Sequence, residues 1–529
     1  MRQSRFGAAR PLKTWTTLRL VGGMVVLLMA TQSLYAQPLL IPGQNNANVF
    51  ANGNNAGRQN GNQNGNANGQ GGAAQADFDT LIDLIKETIQ PNEWDDVGGN
   101  GTIQGFPGGV YVDASGVMKR ISPQTRSLLA KRIGRIRQPS GFADDTDLAK
   151  RSELRMVSLR QLDQQLQTCA IREQPPTEAM RYLAGLERID YLMFDHANND
   201  VILAGPADRW VRADDGRIVS YSTRRPVLQL DDLIVLLRNA LGSHGKFTCS
   251  ITPTQKGLAE FNEYVERTTQ QPLKPGTRKQ WVAGLQDSLG NQTIEVDGLA
   301  PNTRVGRVIV EADYHMKLVG IGLEPGPDGV VSYLTSIEVA KGHDPPPMSV
   351  LRWWFTLNRD QLDASTDGST IDLTQPAVQL LSENQLLTKL GKRIRTGQSD
   401  ELNKRFASSF TRHFDAVADR YPVYADLENV FELAMVASLV RQELKTGKLV
   451  WKMPLLTDAD RYEVETARVA REVPSIVNHR FINGKHVVCA VSGGVRFGRH
   501  VTAAPNDSWQ APSSVCAQST GRANSWWWD

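Results

Sequence analysis

Apolar residues between positions 303 and 323 recur every three or four residues, which is the spacing of the buried face of an α-helix. Gly320, Gly322 and Pro325 are residue types that end helices. The pattern predicts one helix over 303–323, the central helix, packed against a sheet. Its apolar face comprises Val305, Val308, Ile309, Ala312, Met316, Val319 and Leu323.

The charged residues of the central helix form two pairs with a spacing of four, Arg307–Glu311 and Asp313–Lys317, and each pair can interact along the helix. His315 lies one turn from Glu311, and a carboxylate in that position can fix the tautomer of a histidine and raise its pKa. Glu311, Asp313 and His315 are therefore candidate catalytic residues. The alternative is structural, with Glu311 and His315 at the solvent margin of the helix.

Shorter patterns on both sides of the central helix alternate between the helix period and the strand period. Before it they predict helices over 159–168, 177–184, 230–241, 255–267 and 277–289, and strands over 188–194, 200–204, 218–221, 247–251 and 293–296. After it they predict a strand from Arg352, a hairpin of 370–373 and 377–381, and helices over 401–418 and 427–444. This interleaving predicts a mixed α/β (α+β) fold of layered sheet and helices.

The length of the chain predicts two or more subdomains, because roughly 450 residues exceed what one hydrophobic core usually serves. The Pro-rich connector at 342–347 is the predicted boundary. It separates an α/β domain over 108–341 from a C-terminal α+β subdomain over 348–529. Residues 77–107 are predicted to form a short helical N-terminal module.

Residues 1–36 have the pattern of a secretory signal, with a basic start and an apolar run over 20–30 that is short and interrupted by glycine. A cleavage region ends at Ala36, although Leu34 is large for its position, so an uncleaved anchor is the alternative. No later segment approaches a membrane span. The mature chain is therefore expected to be exported, either periplasmic or extracellular.

Residues 37–76 are rich in Asn and Gly, and between 43 and 76 Arg58 is the only charged residue. Such a segment buries too little apolar surface to offset its ordering entropy, which predicts a disordered linker. A self-associating Asn-rich segment is the alternative. The net charge of +3 gives no electrostatic footprint for a polyanion, so no nucleic-acid partner is predicted.

The four cysteines are compatible with an oxidising compartment, where two disulfides can form in three connectivities. Cys489 and Cys516 are close in sequence and are the first predicted pair. Free buried thiols are the alternative. The spacing of the cysteines matches no zinc motif, and no metal or cofactor is predicted.

A second group of candidate catalytic residues, His486, Cys489 and Ser492, follows in the C-terminal part. His486 and Cys489 would face opposite sides of a strand over 487–491, which weakens a catalytic dyad. Ser492 is predicted to lie in a Ser-Gly-Gly turn after that strand, and no nucleophile-elbow motif surrounds it.

Tryptophans provide the candidate binding residues. Trp353 and Trp354 are adjacent in a predicted strand and must point to opposite faces, so one of them could stack on a sugar or a peptide. Core or interface packing is the default. Trp526, Trp527 and Trp528 are expected to dock at least in part on the folded body, and an exposed hook for a glycan or a partner is the alternative.

Seven short segments follow one another along the chain in a distinctive order: AMRYLAGLERIDY, DVILAGPADRW, RRPVLQLDDL, EADYHMKLVGIGLEP, RWWF, KHVVCAVSGGV and SWWWD. In these segments and their order the chain resembles a family of secreted planctomycete bacterial proteins defined by a domain of unknown function. The resemblance runs from about Gly108 to the C-terminus, and a weaker one covers the opening LIDLIKETIQPNEWDDVGGNGTI. It implies secretion and a shared fold, and it carries over no activity, cofactor or catalytic residue.

The sequence thus favours a non-enzymatic binding or structural module of a bacterial envelope, with envelope proteins or glycans as partners. The alternative is an exported hydrolase that uses the central helix or the C-terminal His/Cys/Ser group.

Overall fold

The computed structural model describes residues 104–106, 110–112, 118–120, 148–242, 245–268, 276–300, 302–337, 350–467, 469–482, 485–498, 501–518 and 525–529. The predicted signal, the linker and most of the N-terminal module lie outside the described residues.

The helices are α1 Leu159–Ile171, α2 Glu178–Arg181, α3 Leu230–Gly242, α4 Gln255–Thr268, α5 Arg278–Leu289, α6 Arg304–Gly320, α7 Tyr333–Ser336, α8 Glu401–Arg412, α9 Phe414–Arg420, α10 Pro422–Thr446, α11 Pro454–Thr457 and α12 Ser513–Gln518. The strands are β1 Gln104–Phe106, β2 Val110–Val112, β3 Met118–Arg120, β4 Ser152–Ser158, β5 Tyr191–Asp195, β6 Asp200–Ala207, β7 Trp210–Arg212, β8 Ile218–Ser220, β9 Phe247–Pro253, β10 Asn291–Asp297, β11 Val350–Leu357, β12 Gln361–Ala364, β13 Thr370–Asp372, β14 Val378–Leu387, β15 Arg393–Arg395, β16 Glu472–Pro474, β17 Val477–Ile482, β18 Lys485–Phe497, β19 Thr502–Pro505 and β20 Trp527–Trp528.

The largest sheet has eight strands in the order β15-β14-β11-β18-β9-β10-β16, and β17 also pairs with β18. β11 runs parallel to β18, with Leu351 opposite Val491. β9 runs antiparallel to β18, with Cys249 opposite Val495. The long strand β18 is therefore the centre of this sheet.

A second sheet has seven strands in the order β19-β12-β13-β5-β6-β4-β20. Its last strand, β20, pairs antiparallel with β4 and places Trp528 opposite Met156. β1, β2 and β3 form a small separate sheet, and β7 pairs with β8.

The central helix, α6, lies between the eight-stranded sheet and a layer of helices. It packs on β9, β11 and β18 on one side and on α3 and α10 on the other. One core cluster includes Leu203 of the seven-stranded sheet, Phe355 of the eight-stranded sheet and Phe431 of α10. The mixed α/β fold predicted from the sequence is confirmed.

Local sequence signals set the ends of the two central helices. Thr303 precedes α6, and its side-chain oxygen accepts a hydrogen bond from the Gly306 N–H at 3.2 Å. Pro422 occupies the first position of α10, where its missing N–H costs nothing. Gly447 ends α10 in the left-handed conformation, with φ of 75°.

The hairpin predicted over 370–373 and 377–381 is wrong. β13 pairs with β5 and β12 in the seven-stranded sheet, whereas β14 pairs with β11 and β15 in the eight-stranded sheet. Alternation identified both strands but carries no information on their partners, and the chain crosses from one sheet to the other between them.

The predicted helix pair after residue 400 is found with different ends. The first prediction, 401–418, is divided at His413 into α8 and α9. The second helix begins earlier than predicted, at Pro422, and continues to Thr446.

Both large sheets contain strands from before and after the Pro-rich connector at 342–347. The predicted boundary therefore does not coincide with a division between sheets. None of the described helices combines the length and the apolarity that a membrane crossing needs.

Candidate functional site

The polar side chains of α6 are buried together with the apolar ones. Glu311 and His315 are 2% and 6% exposed, and Asp313 and Lys317 are 0% and 2% exposed. The expectation that Glu311 and His315 lie at a solvent margin is wrong, because α3 and α10 cover the side of the helix that faces away from the sheet. Buried charges need partners, so the partners of these residues define the site.

Arg217, just before β8, is the ion-pair partner of Glu311. Its Nη2 donates to Glu311 Oε1 at 3.0 Å, its Nε to Asp426 Oδ2 at 2.6 Å, and its Nη1 to Asp215 Oδ2 at 2.6 Å. Arg307, the partner of Glu311 predicted from spacing, acts on it through its charge at longer range. One buried guanidinium therefore joins carboxylates from three separate segments.

Arg304, in the first turn of α6, extends this cluster. Its guanidinium donates to Asp232 Oδ2 of α3 and to Asp426 Oδ1 of α10. Asp426 therefore lies between two arginines. We call Arg217, Arg304, Asp232, Glu311 and Asp426 the charge network.

The pKa values of the three carboxyl groups in the charge network are shifted in different directions. Burial favours the neutral acid at Asp426, but its two arginines outweigh burial and lower the pKa of this residue. At Glu311 burial prevails over the arginines and raises the pKa. Burial also raises the pKa of Asp232 to about 6, against the opposing charge of Arg304. Asp426 is therefore the firmly ionised centre of the network.

A second ion pair lies further along α6. Lys317 Nζ is 3.0 Å from Asp313 Oδ2, which confirms the pair predicted from spacing, and it donates to the Ile251 carbonyl of β9 at 2.8 Å. Burial raises the pKa of Asp313 and lowers the pKa of Lys317. Gly493 of β18 permits this approach, since a Cβ there would lie 2.3 Å from Asp313 Oδ1.

His315 belongs to an aromatic cluster. Its Nδ1 lies 2.9 Å from the Tyr424 hydroxyl, and its ring centroid lies 4.3 Å from that of Tyr421. Tyr424 in turn packs against Phe410 and Phe355. The three candidate residues of the central helix therefore face three different environments.

The predicted turn at Ser492 is wrong, because β18 continues through Lys485–Phe497. Ser492 is fully buried, and its hydroxyl donates to the Leu351 carbonyl at 3.4 Å. The adjacent Gly493 faces Asp313, so Ser492 points to the opposite face of the strand. Ser492 therefore does not face the Asp313–Lys317 pair.

The remaining C-terminal candidates fall on β18 and α12, but the side chains of His486, Cys489 and Cys516 lie outside the described residues. The Cys489–Cys516 disulfide stays a prediction. Cys169 and Cys249 are free thiols. Within the described part of the chain, no group of three or more His, Cys, Asp or Glu is arranged to hold a metal ion.

Trp353 and Trp354 point to opposite faces of β11, as predicted. Trp353 is fully buried, and its indole N–H donates to Asn403 Oδ1 at 2.5 Å. Trp354 is half-buried, and the Arg352 guanidinium lies over its ring at 5.2 Å. Trp354 is therefore the member of the pair that remains accessible.

The C-terminal tryptophans dock on the folded body, as expected. Trp526 and Trp528 are 9% and 6% exposed, while Trp527 is half-buried. Arg155 holds the tail by donating from Nε and Nη2 to the Asp529 carboxylate at 2.7 and 3.0 Å. This ion pair joins β4 to the end of β20.

Sequence reasoning missed the charge network because its members lie far apart along the chain. Spacing along α6 marks Glu311 as a candidate, but it assigns no site to Arg217, Asp232, Arg304 or Asp426. The sequence does contain one signal, which is a charged residue within a run of apolar residues. Asp426 lies near the start of α10, and most residues around it in that helix are buried. Such a charge must meet an opposite charge, but its partner cannot be read from spacing.

The comparison with protein families concerns the segment around α6. Residues 249–333 match DUF1598, a family of proteins of unknown function. The matched segment runs from β9 to α7 and contains Glu311, Asp313 and His315. Arg217 and Asp426 lie outside it, so the charge network joins the DUF1598 segment to the rest of the chain. No curated protein and no solved structure matches the chain.

Proposed function

We propose that this chain is an exported, non-enzymatic module of a bacterial envelope with a structural or binding role. The burial of Glu311 in its ion pair with Arg217 carries the non-enzymatic part of the proposal, and the basic and apolar pattern of residues 1–36 supports export. A carboxylate that is 2% exposed and bound to a guanidinium joins segments of the fold and does not reach a substrate. Asp313 and Ser492, which are fully buried, support the same conclusion.

The partners in this proposal are envelope proteins or glycans, and the half-buried tryptophans are the groups that would meet them. The Arg352 guanidinium lies over the Trp354 ring, and the Arg155 guanidinium lies over the Trp527 ring at 4.9 Å from its centroid. Tryptophan and arginine are the residue types most enriched at binding hot spots.

A graded set of variants tests the non-enzymatic role. Arg217→Lys, Glu311→Gln and His315→Ala are compared by urea unfolding and by their ability to restore the phenotype of a deletion strain. Glu263→Gln in α4 is the control on the surface. If these residues are structural, restoration falls in the order of lost stability and recovers at lower growth temperature.

The exported-hydrolase alternative gives a different result. In that case His315→Ala or Glu311→Gln abolishes restoration at every temperature while the purified variant stays as stable as the wild type. That outcome would replace the structural role by a catalytic one.

The exported location is tested by cell fractionation of the full chain and of a variant that lacks residues 1–36. The proposal expects the full chain in the periplasmic or extracellular fraction and the shortened chain in the cytoplasm. Equal distribution of both chains would reject export.

A further inference from the structure

The hairpin of β14 and β15 exposes three large apolar side chains. Leu390 is 76% exposed, Leu386 is 60% exposed and Ile394 is 46% exposed. All three lie within residues 386–395, which we call the β14–β15 tip. Large apolar side chains that cluster on a surface mark an interaction site more often than isolated ones do.

The register of the hairpin places two of these side chains together. Leu386 lies directly opposite Ile394, so both project from one face of the hairpin. Their neighbours Leu387 and Arg393 lie opposite each other on the other face, where Leu387 packs against a small core cluster. The hairpin therefore has an anchored face and an exposed apolar face.

The loop that carries Leu390 is held in place by α4. Gln255 Nε2 donates to the Leu390 carbonyl at 3.1 Å, and Asn262 Nδ2 donates to the Thr388 carbonyl at 3.2 Å. Gly391 has a φ of +76°, and a Cβ there would lie 2.1 Å from the Gln255 carbonyl oxygen. The outward position of Leu390 is therefore built into the fold.

Cations surround the apolar residues. Lys389 and Lys392 are exposed on either side of the loop residue Leu390. The Arg395 side chain is 65% exposed, although its Nε lies 3.4 Å from the buried Glu383 carboxylate. No Asp or Glu occurs between residues 384 and 399. The β14–β15 tip is therefore apolar and cationic at once.

We propose that the β14–β15 tip binds the surface of an anionic lipid membrane. Exposed leucine and isoleucine can enter the boundary between headgroups and acyl chains, while lysine and arginine meet anionic headgroups. Leu390 lies on the loop that joins the two strands, and Leu386 lies on the adjacent part of β14, so both exposed leucines are at one end of the hairpin. The proposal goes beyond the envelope role and does not require it.

Strand addition by a protein partner fits the tip less well. β15 is the last strand of its sheet among the described strands, but it has only the three residues Arg393–Arg395. Short edge strands with charged side chains are a known way to prevent pairing with another strand. The free backbone edge is therefore a poor template, whereas the side chains remain available to a lipid surface.

Vesicle co-sedimentation of the full chain tests the proposal. The vesicles contain phosphatidylglycerol with phosphatidylcholine, or phosphatidylcholine alone. We expect Leu386→Ser/Leu390→Ser and Lys389→Glu/Lys392→Glu each to weaken binding to anionic vesicles by roughly tenfold or more. The matched controls, at and beyond the C-terminal end of α10, are Lys445→Glu/Lys448→Glu and Val450→Ser, since Val450 is 71% exposed and both lysines are exposed.

A local measurement is also needed, because residues 1–36 have a basic and apolar pattern that can bind membranes by itself. The photoreactive residue p-benzoylphenylalanine is placed at position 390 and, in a matched variant, at position 450. The proposal expects cross-linking to lipid from position 390 with anionic vesicles and little from position 450.

Several results would overturn the proposal. They are equal cross-linking from both positions, no cross-linking from position 390, equal binding to zwitterionic and anionic vesicles, or tip variants that bind like the controls. Preferential cross-linking of position 390 to an added acidic polypeptide in the presence of anionic vesicles would assign the tip to a protein partner. The thermal unfolding temperature of each variant is compared with that of the wild type, so that a loss of binding caused by misfolding is recognised.

Discussion

Arg217 is almost fully buried and binds the carboxylates of Glu311, Asp426 and Asp215. The stability of the folded chain therefore depends strongly on this one side chain. Burial opposes the charge on Arg217, but the surrounding carboxylates outweigh burial and raise its pKa. The guanidinium therefore stays charged in the folded protein. Its removal would leave Asp426 with Arg304 and Glu311 with the more distant charge of Arg307.

Replacement of this guanidinium is expected to be costly. Arg217→Met leaves Glu311 and Asp426 buried with fewer partners and should lower the free energy of unfolding by ~3–5 kcal/mol. Arg461→Met is the matched control, because the Arg461–Asp458 pair is exposed and should contribute at most ~1 kcal/mol. Urea unfolding of both variants measures the difference. Equal losses would show that burial of the network has no energetic weight.

Gly493 provides a second test at the scale of single residues. In Gly493→Ala the new Cβ would lie 2.3 Å from Asp313 Oδ1 and 2.5 Å from Lys317 Cε. We expect a loss of ~1–3 kcal/mol from overpacking. Gly498→Ala is the control, since the nearest heavy atom there lies 3.6 Å away. Calorimetry of the two variants tests this, and a Gly493→Ala protein as stable as the control would contradict the close approach.

The sequence predicts the contacts of a single residue where the partner is close along the chain. The Asp313–Lys317 pair follows from a spacing of four along one helix, and it is confirmed. The partners of Glu311 could not be predicted, because Arg217 and Asp426 reach it through the fold of distant segments. Periodicity also marks charged residues as facing water, and it fails for α6 because the sheet covers one side of this helix and α3 and α10 cover the other.

At the scale of elements, α10 is as unusual as α6, because acidic side chains are buried along it. Glu428 and Glu432 lie one turn apart and are 8% and 4% exposed. Glu432 Oε2 accepts a hydrogen bond from the Ile189 N–H at 2.8 Å. Burial and the neighbouring acid raise the pKa of Glu432, and burial raises the pKa of Glu428 to about 7.

The raised pKa of Glu428 predicts a pH dependence of stability. In the folded state this carboxyl binds a proton up to about pH 7, whereas in the unfolded state it does so only up to its ordinary value of 4.5. The folded state therefore binds more protons between these values, and this contribution to stability falls as the pH rises through the window. Glu428→Gln removes it.

The advantage of Glu428→Gln over the wild type is therefore expected to grow from pH 5 to pH 8 by on the order of 2 kcal/mol. Unfolding by urea at each pH measures it. Glu401→Gln, with an 86% exposed carboxylate, is the control and should show little change. A constant difference between Glu428→Gln and the wild type would contradict the raised pKa.

The sequence predicts the positions of helices and strands better than it predicts which strands pair. Most predicted helices and strands are found because apolar periodicity depends on which face is buried. The hairpin at 370–381 failed because β13 and β14 are neighbours in sequence and belong to different sheets. The Ser-Gly-Gly sequence at Ser492 predicts a turn, whereas Gly493 and Gly494 are strand residues whose missing side chains let Asp313 and the Cys249 carbonyl approach.

At the scale of the whole molecule, the C-terminal segment completes the seven-stranded sheet. β20 covers the edge of β4, and Trp528 packs in a small cluster with Met156 and Ile202. The ion pair of Asp529 with Arg155 fixes its end. In the seven-stranded sheet, the C-terminal strand β20 is therefore joined to β4, the first strand of that sheet along the chain.

Loss of the Trp528 ring should destabilise the protein more than loss of its neighbour. Trp528→Ala is expected to cost ~3 kcal/mol or more, because the ring is 6% exposed. Trp527→Ala should cost less, since that ring is half-buried under Arg155. Thermal unfolding compares the two. The reverse order would show that the accessible ring, and not the buried one, secures the segment.

The place of β18 in the eight-stranded sheet has a consequence for biosynthesis. β18 lies between β11 and β9, yet every other strand of that sheet precedes it in the chain. During translation, all the other strands of this sheet are therefore synthesised before β18. Until then the nascent polypeptide cannot join the β11 side of this sheet to the β9 side, and the unpaired edges of β11 and β9 stay available to chaperones.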